Sequence, residues 1–221
     1  MPYDICFKTP FNCIVAGMSY SGKTTWVKNL LTLRDKIFTE QPTRIFLFYK
    51  VMQDIYVEME ADGLVHELVS VNEEMPSLET IISMVEKYKN QGGSMLIFDD
   101  TMSDLNNDFE QLFCNVSHHY NSSIIFLTQN LFYQKTTFRT MSLNSHYLVL
   151  MKNVRDTQQI SILAKQFSPY NNSFLVQSYA EATKNPFSYL LLDFRPDSPQ
   201  ELRLRSNFFE FPCLVFLPKQ K

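Results

Sequence analysis

Two glycines, a lysine and a threonine at fixed spacing carry the first chemical signal in the chain. The run Gly17-Met18-Ser19-Tyr20-Ser21-Gly22-Lys23-Thr24 has the pattern of a phosphate loop. In such a loop backbone N–H groups wrap a polyphosphate, the lysine reaches the β and γ phosphates and the threonine hydroxyl ligates Mg²⁺. Ser19, Ser21 and Thr25 complete the stretch expected to hold ATP. The second signal is the acidic pair Asp99 and Asp100, directly after the apolar run Met95-Leu96-Ile97-Phe98. A carboxylate at the end of a buried strand needs a countercharge, and a Mg²⁺ held by Asp99 together with Thr24 would supply it. Asp100 then stands where a general base polarises the attacking water.

These residues act together only if the chain delivers them to one place. Phosphate binding uses the unpaired N–H groups and the positive dipole end at a helix N-terminus, so the loop should follow a strand and open a helix. Cys13 to Ala16 is a short unbroken apolar run, and Trp26, Leu30, Leu31 and Leu33 recur downstream at roughly helical spacing. Further along, residues 43–50, 94–100, 122–129 and 146–153 read as strands, and 77–90, 106–120, 156–167 and 171–183 as helices. Ser77 and Asp156 are the expected helix caps. Strands at 188–194 and 201–205 complete the chain. Such alternation predicts an α/β fold, a mostly parallel sheet with helices on both faces. Ligands of open sheets bind beyond the carboxyl ends of the strands, where Gly17, Asp99, Asp100 and Gln129 all fall. In phosphate-loop NTPases of the additional-strand (ASCE) type, a polar residue such as Gln129 senses the γ-phosphate or orients the water. There a further strand lies between the phosphate-loop strand and the acidic strand, and "TRIFLFYK" (43–50) lies between them in sequence.

The 221 residues suit one domain spanning 1–221, with 187–221 forming C-terminal strands and an apolar tail. The tail "FFEFPCLVFLPKQK" is expected to pack back as an edge strand or to serve as a docking peptide. The net charge of −3 hides an asymmetry: residues 1–130 carry 9 basic against 17 acidic groups, residues 131–221 carry 11 against 6. A polyanion should prefer the second part. The four cysteines form no CxxC pair and read as reduced thiols, and Cys114 with His118 and His119 lacks a second ligand cluster for a metal. Neither a signal peptide nor a membrane-spanning apolar run is expected, so the protein is read as not secreted. An Asn-Lys-x-Asp motif, which would read guanine, does not occur. Phosphoryl transfer gains strongly from an arginine, often delivered by a neighbouring subunit. Arg139, the preferred candidate, and Arg155 flank the fourth strand.

Three segments narrow the reading. "SHHYNSSIIFLTQNLFYQ", "RTMSLNSHYLVLMKNVRDTQQISILAKQFSP" and "EATKNPFSYLLLDFRPDSPQELRLRSNFF" resemble the genome-packaging ATPases of the FtsK/HerA superfamily. The likeness is nearest to those of Polinton (Maverick) elements and adintovirus-like DNA viruses of animals. It runs from about Phe11 to Phe209. The resemblance implies an ATP-driven translocase that feeds double-stranded DNA into a capsid, acting as a ring of like subunits at a capsid or vertex protein. It further implies a place in the host nucleus or cytoplasm at sites of virion assembly, or in the virion. Gly17, Gly22, Lys23 and Thr24 match its phosphate loop, Asp99 and Asp100 its two acids, and Gln129 its strand-end sensor. The family usually has Glu where this chain has Asp100. Lys135, Lys152 and Lys184 are candidates for phosphate contacts that track a duplex without reading bases, while Phe132, Tyr133 and Phe138 are read mainly as core residues. A replication helicase or loader is the alternative motor, and a small nucleotide-binding module or kinase the non-motor one.

Overall fold

The computed structural model describes residues 5–72, 74–101, 107–131, 136–155, 158–167, 172–210 and 212–218. Their strands are β1 (Asn12–Ala16), β2 (Arg44–Tyr49), β3 (Glu67–Ser70), β4 (Ser94–Asp99), β5 (Ser122–Thr128), β6 (Tyr147–Met151), β7 (Tyr189–Asp193), β8 (Leu204–Ser206) and β9 (Leu214–Val215). They form one sheet in the order β3-β2-β4-β5-β1-β6-β7-β8-β9. From β3 to β6 every pairing is parallel, and from β6 to β9 every pairing is antiparallel. All residues of β1, β4, β5 and β6 are buried, which is why these strands read as continuous apolar runs rather than alternating ones.

Alternate side chains of the central strands feed two cores. On one face Cys13 and Val15 of β1 pack with Trp26, Val27, Leu30 and Leu31 of α1 (Lys23–Thr32), with Ile37 of α2 (Arg34–Ile37) and with Tyr56 and Met59 of α3 (Asp54–Ala61). On the other, Ile14 and Ala16 meet α4 (Leu78–Glu86), α5 (Asn107–Gln111), α7 (Thr136–Leu143), α8 (Gln158–Phe167) and α9 (Asn172–Ala182) through residues such as Ile81, Phe109, Phe138, Leu163 and Tyr179, and the short α6 (Ser117–His119) leads into β5. Helices therefore cover both faces. Ser77 caps α4, its hydroxyl accepting from the Thr80 N–H at 3.2 Å. Asp156 lies outside the described residues.

Three sequence expectations need correction. "TRIFLFYK" becomes β2, which lies outside β4; the strand between the phosphate-loop strand β1 and the acidic strand β4 is β5. The stretch 106–120 is not one continuous helix, because Leu112–Val116 form a π-helical turn between α5 and α6. There the Phe113 carbonyl accepts from Ser117 Oγ at 3.1 Å and from Nδ2 of the fully buried Asn12 at 2.6 Å, so the widened turn meets a polar group on β1. The segment 201–205 begins as a 3₁₀ turn, Gln200–Leu202, before β8.

The antiparallel wing is tied down by buried polar bonds. Arg205, 1% exposed, donates to Asp193 Oδ2 at 2.7 Å and to the Ile5 carbonyl at 2.8 Å, and Ser198 Oγ donates to the same carboxylate oxygen at 2.9 Å. A buried pair supplied with these extra bonds is one that costs most when a single partner is removed. Beyond it the apolar tail does form an edge strand, β9 on β8, with Leu214, Val215 and Leu217 left exposed.

At the amino-terminal end of β6, His146 Nδ1 accepts from the Asn12 N–H at 2.9 Å. Burial, assisted by Arg195 and His118 and opposed by Asp197, lowers its pKa from 6.5 to about 4. An imidazole held neutral in the folded state but able to take a proton when unfolded makes stability fall as pH drops below 6.5, levelling near pH 4 where the native form also protonates. The thermal midpoint should fall across this window in the wild type. In His146→Asn, which keeps an acceptor without a titration, the fall should be shallower; identical profiles would remove His146 as a cause.

Candidate functional site

Each strand end contributes one part of a single cleft. The Gly17 N–H donates to the Thr128 carbonyl at 3.0 Å, the last rung between β1 and β5 before the chain leaves the sheet. A Cβ at Gly17 would come within 2.6 Å of both Met151 Cβ and Ser21 Oγ, so only glycine fits. Gly22 closes the loop at φ 93, in the left-handed region, and directly caps α1. The loop thus turns inside the sheet's centre and delivers the first N–H groups of α1 to its carboxyl edge.

Lys23 Nζ folds back onto the Gly17 and Met18 carbonyls at 2.9 and 3.1 Å. Burial lowers its pKa, with Asp99 and Asp100 pulling the other way. Thr24 Oγ1 donates to Asp99 Oδ2 at 2.7 Å, joining α1 to the end of β4. Tyr56 of α3 donates to the same oxygen at 2.9 Å and itself accepts from Gln53 Nε2 at 2.8 Å. Asp99 is 5% exposed; burial, with a smaller push from Asp100, raises its pKa, and the bonds from Thr24 and Tyr56 and the charge of Lys23 offset only part of that rise. Asp100 follows on left-handed backbone at φ 58, exposed to the cleft. Gln129, exposed, follows β5.

Gly22, Lys23, Thr24, Gln53, Asp99, Asp100 and Gln129 line a cavity of about 980 Å³ together with Ser19, Thr25, Trp26, Asn29, Leu127, Phe187, Tyr189 and Phe209, whereas Gly17 and Tyr56 lie behind its wall. Ser21 is buried instead, and its hydroxyl has no protein partner among the described residues. Arg139 lies on α7 and Arg155 beyond β6; both are exposed and neither lines the cavity. Lys152 donates to the Lys184 carbonyl at 2.6 Å, and Lys184 pairs with Glu181 at 2.7 Å. Phe138 is core, while Phe132, Tyr133 and Lys135 lie outside the described residues. Among the described residues no cluster of three or more His, Cys, Asp or Glu is arranged to hold a metal, and no helix is long and apolar enough to cross a membrane.

The family model described as Poxvirus A32 protein matches residues 2–175. The chain belongs to the Poxvirus A32 protein family. Solved structures share the fold of this A32-family chain at low identity. The genome packaging NTPase B204 from Sulfolobus turreted icosahedral virus 2, solved in complex with ATP-gammaS, superposes with a TM-score of 0.53 at 13% identity, covering 83% of this chain and 91% of that one. The cytoplasmic domain of the Thermomonospora curvata type VII secretion ATPase EccC gives 0.56 at 13% identity over 85% of this chain and 24% of its own. The cytoplasmic domain of EssC gives 0.51 at 13% over 73% and 35%. No curated protein matches the chain. The A32-family chain is thus a mixed α/β protein of the P-loop ATPase fold.

Sequence reasoning misses Tyr56, Gln53 and the aromatic wall of Phe187, Tyr189 and Phe209. Tyr56 sits in a helix with only two buried residues, so no apolar stripe marks it. Removing its hydroxyl leaves the buried Asp99 with one donor fewer. Tyr56→Phe should lower unfolding free energy by about 1.5–3 kcal/mol, the range for a bond to a charged group. Urea unfolding checks this, and an unchanged midpoint would show that water replaces the phenol.

Proposed function

We propose that the chain is a viral genome-packaging ATPase, a motor that hydrolyses ATP to drive double-stranded DNA into a capsid. The observation that carries the reading is the 2.7 Å bond between Thr24 and Asp99, which brings a hydroxyl and a buried carboxylate together at the mouth of a phosphate loop. Hard oxygen donors of this kind suit Mg²⁺, and a buried acid with a raised pKa gains from a cation beside it. Thr24 and Asp99 would hold the ion, which would supply positive charge to offset the negative charge that develops during phosphoryl transfer. Membership of the A32 family and the fold shared with a packaging NTPase that binds ATP-gammaS support the same reading.

The roles follow from position. Gly17, Ser19, Ser21, Gly22 and Thr25 would cradle the phosphates, with the orphaned Ser21 hydroxyl gaining a partner. Lys23, now satisfied by two carbonyls, would exchange them for phosphate oxygens. Thr24 and Asp99 would hold the metal. Asp100, exposed to the cleft, would accept a proton from the attacking water, and Gln129 from the neighbouring strand end would orient it. No arginine lines this cleft among the described residues, which favours one supplied by a neighbouring subunit, Arg139 ahead of Arg155, in a ring. Such a ring would bring the basic C-terminal part to a duplex at the sites of virion assembly.

ATP turnover with and without linear duplex DNA, read alongside sedimentation, tests this. Turnover should require Lys23, fall at least ~100-fold in Asp100→Asn with nucleotide affinity kept, and rise with duplex in a ring-sized species. Arg139→Ala should lower turnover without loss of assembly. Duplex-independent turnover by a monomer would sink the motor reading.

A further inference from the structure

The cavity is larger than a polyphosphate needs, and its two sides differ in chemistry. In the sheet order, the acids at the end of β4 and Gln129 after β5 lie to one side of β1. To the other side lie β6 and then β7, which runs antiparallel and so begins at the edge where β6 ends, with Tyr189 opposite Met151. The segment leading into β7 therefore reaches the phosphate loop from the flank opposite the acids. It carries Phe187.

Phe187 is exposed at 68% and sits on left-handed backbone at φ 60, an unusual state for a bulky residue. Burial does not account for it, since a core aromatic would be covered. Its ring lies against the loop, 3.4 Å from where a Cβ on Gly22 would stand. The segment is also anchored: Lys152 Nζ donates to the Lys184 carbonyl at 2.6 Å, the Lys152 N–H to the Ser188 carbonyl at 3.0 Å, and Ser188 Oγ to the Asn185 carbonyl at 2.6 Å. A costly, solvent-facing aromatic held in place beside a phosphate loop is suited to meet a flat ligand surface.

We propose that Phe187 is the stacking platform for the nucleoside base of the bound triphosphate. The inference rests on the nucleotide reading above and deepens it. A nucleotide is linear: with its terminal phosphate toward Asp99 and Asp100 and its phosphates on the loop, its base emerges on the flank where Phe187 stands. Stacking uses the π-face common to all bases, so Phe187 contributes affinity for the base without selecting among purines and pyrimidines.

The test compares ATP-gammaS with inorganic tripolyphosphate, which carries the phosphates and no base, each titrated with Mg²⁺ into full-length wild type, Phe187→Ala and Phe187→Trp. Phe187→Ala should weaken ATP-gammaS by roughly tenfold, the size of one base stack, and leave tripolyphosphate within about twofold. Phe187→Trp should retain ATP-gammaS affinity and add a fluorescence signal, above that of Trp26, the sole native tryptophan, that ATP-gammaS quenches and tripolyphosphate does not. Unchanged ATP-gammaS affinity in Phe187→Ala overturns the proposal while leaving the nucleotide reading intact. Equal loss of both ligands also overturns it, assigning Phe187 to support of the loop. Wild-type protein that binds neither ligand removes both readings.

Discussion

The point on which the site depends is the crowding at Gly17. Here β1 makes its last hydrogen bond to β5, β6 presses in from the other side through Met151, and the chain must turn out of the sheet with Ser21 folding over it. No side chain fits between these neighbours. The constraint has a benefit: a loop this tightly enclosed has its N–H groups aimed before any ligand arrives, so little ordering is left to be done on binding. Phosphate loops built at a sheet's centre gain their preorganisation from the strands on either side.

Electrostatics at the cleft follows from the same enclosure. A carboxylate placed at the end of a strand buried on both faces is desolvated, and the protein answers with a hydroxyl from α1, a phenol from α3 and a nearby ammonium. Lys23 is likewise desolvated and leans on loop carbonyls. Both charges are held in partial satisfaction, strong enough to stay ordered and weak enough to be exchanged for a better partner. Asp100, the next residue, faces the open cleft and acts on Lys23 and Asp99 through its charge, so two adjacent acids meet opposite surroundings, one enclosed and one exposed.

Much of this was legible in the residues. The strand, loop and helix around Lys23 and the acidic strand ending in Asp99 announce themselves because burial on both faces leaves unbroken apolar runs. What the chain hides is lateral order. Nothing local in "TRIFLFYK" or "SSIIFLT" says which of them stands beside β1; that is decided by how crossover connections pack, and β5 takes the place that order in sequence suggested for β2. The edge strand β3, with no fully buried residue, leaves no apolar run to read. The π-turn at Leu112 answers a buried asparagine a hundred residues away in sequence, and Phe187 lies in a polar turn whose position beside Gly22 exists only after β7 has reversed.

The sheet order also governs when the site can come into being. β1 leaves synthesis before both of its partners, β5 and β6, and the contact that seals Gly17 waits for Thr128 and Met151. Such pairings, distant in sequence, are slow to close because loop entropy must be overcome before any contact rewards it. The phosphate loop is therefore enclosed only after β5 and β6 have joined β1, and until then the growing chain holds β1 as an unpaired apolar segment.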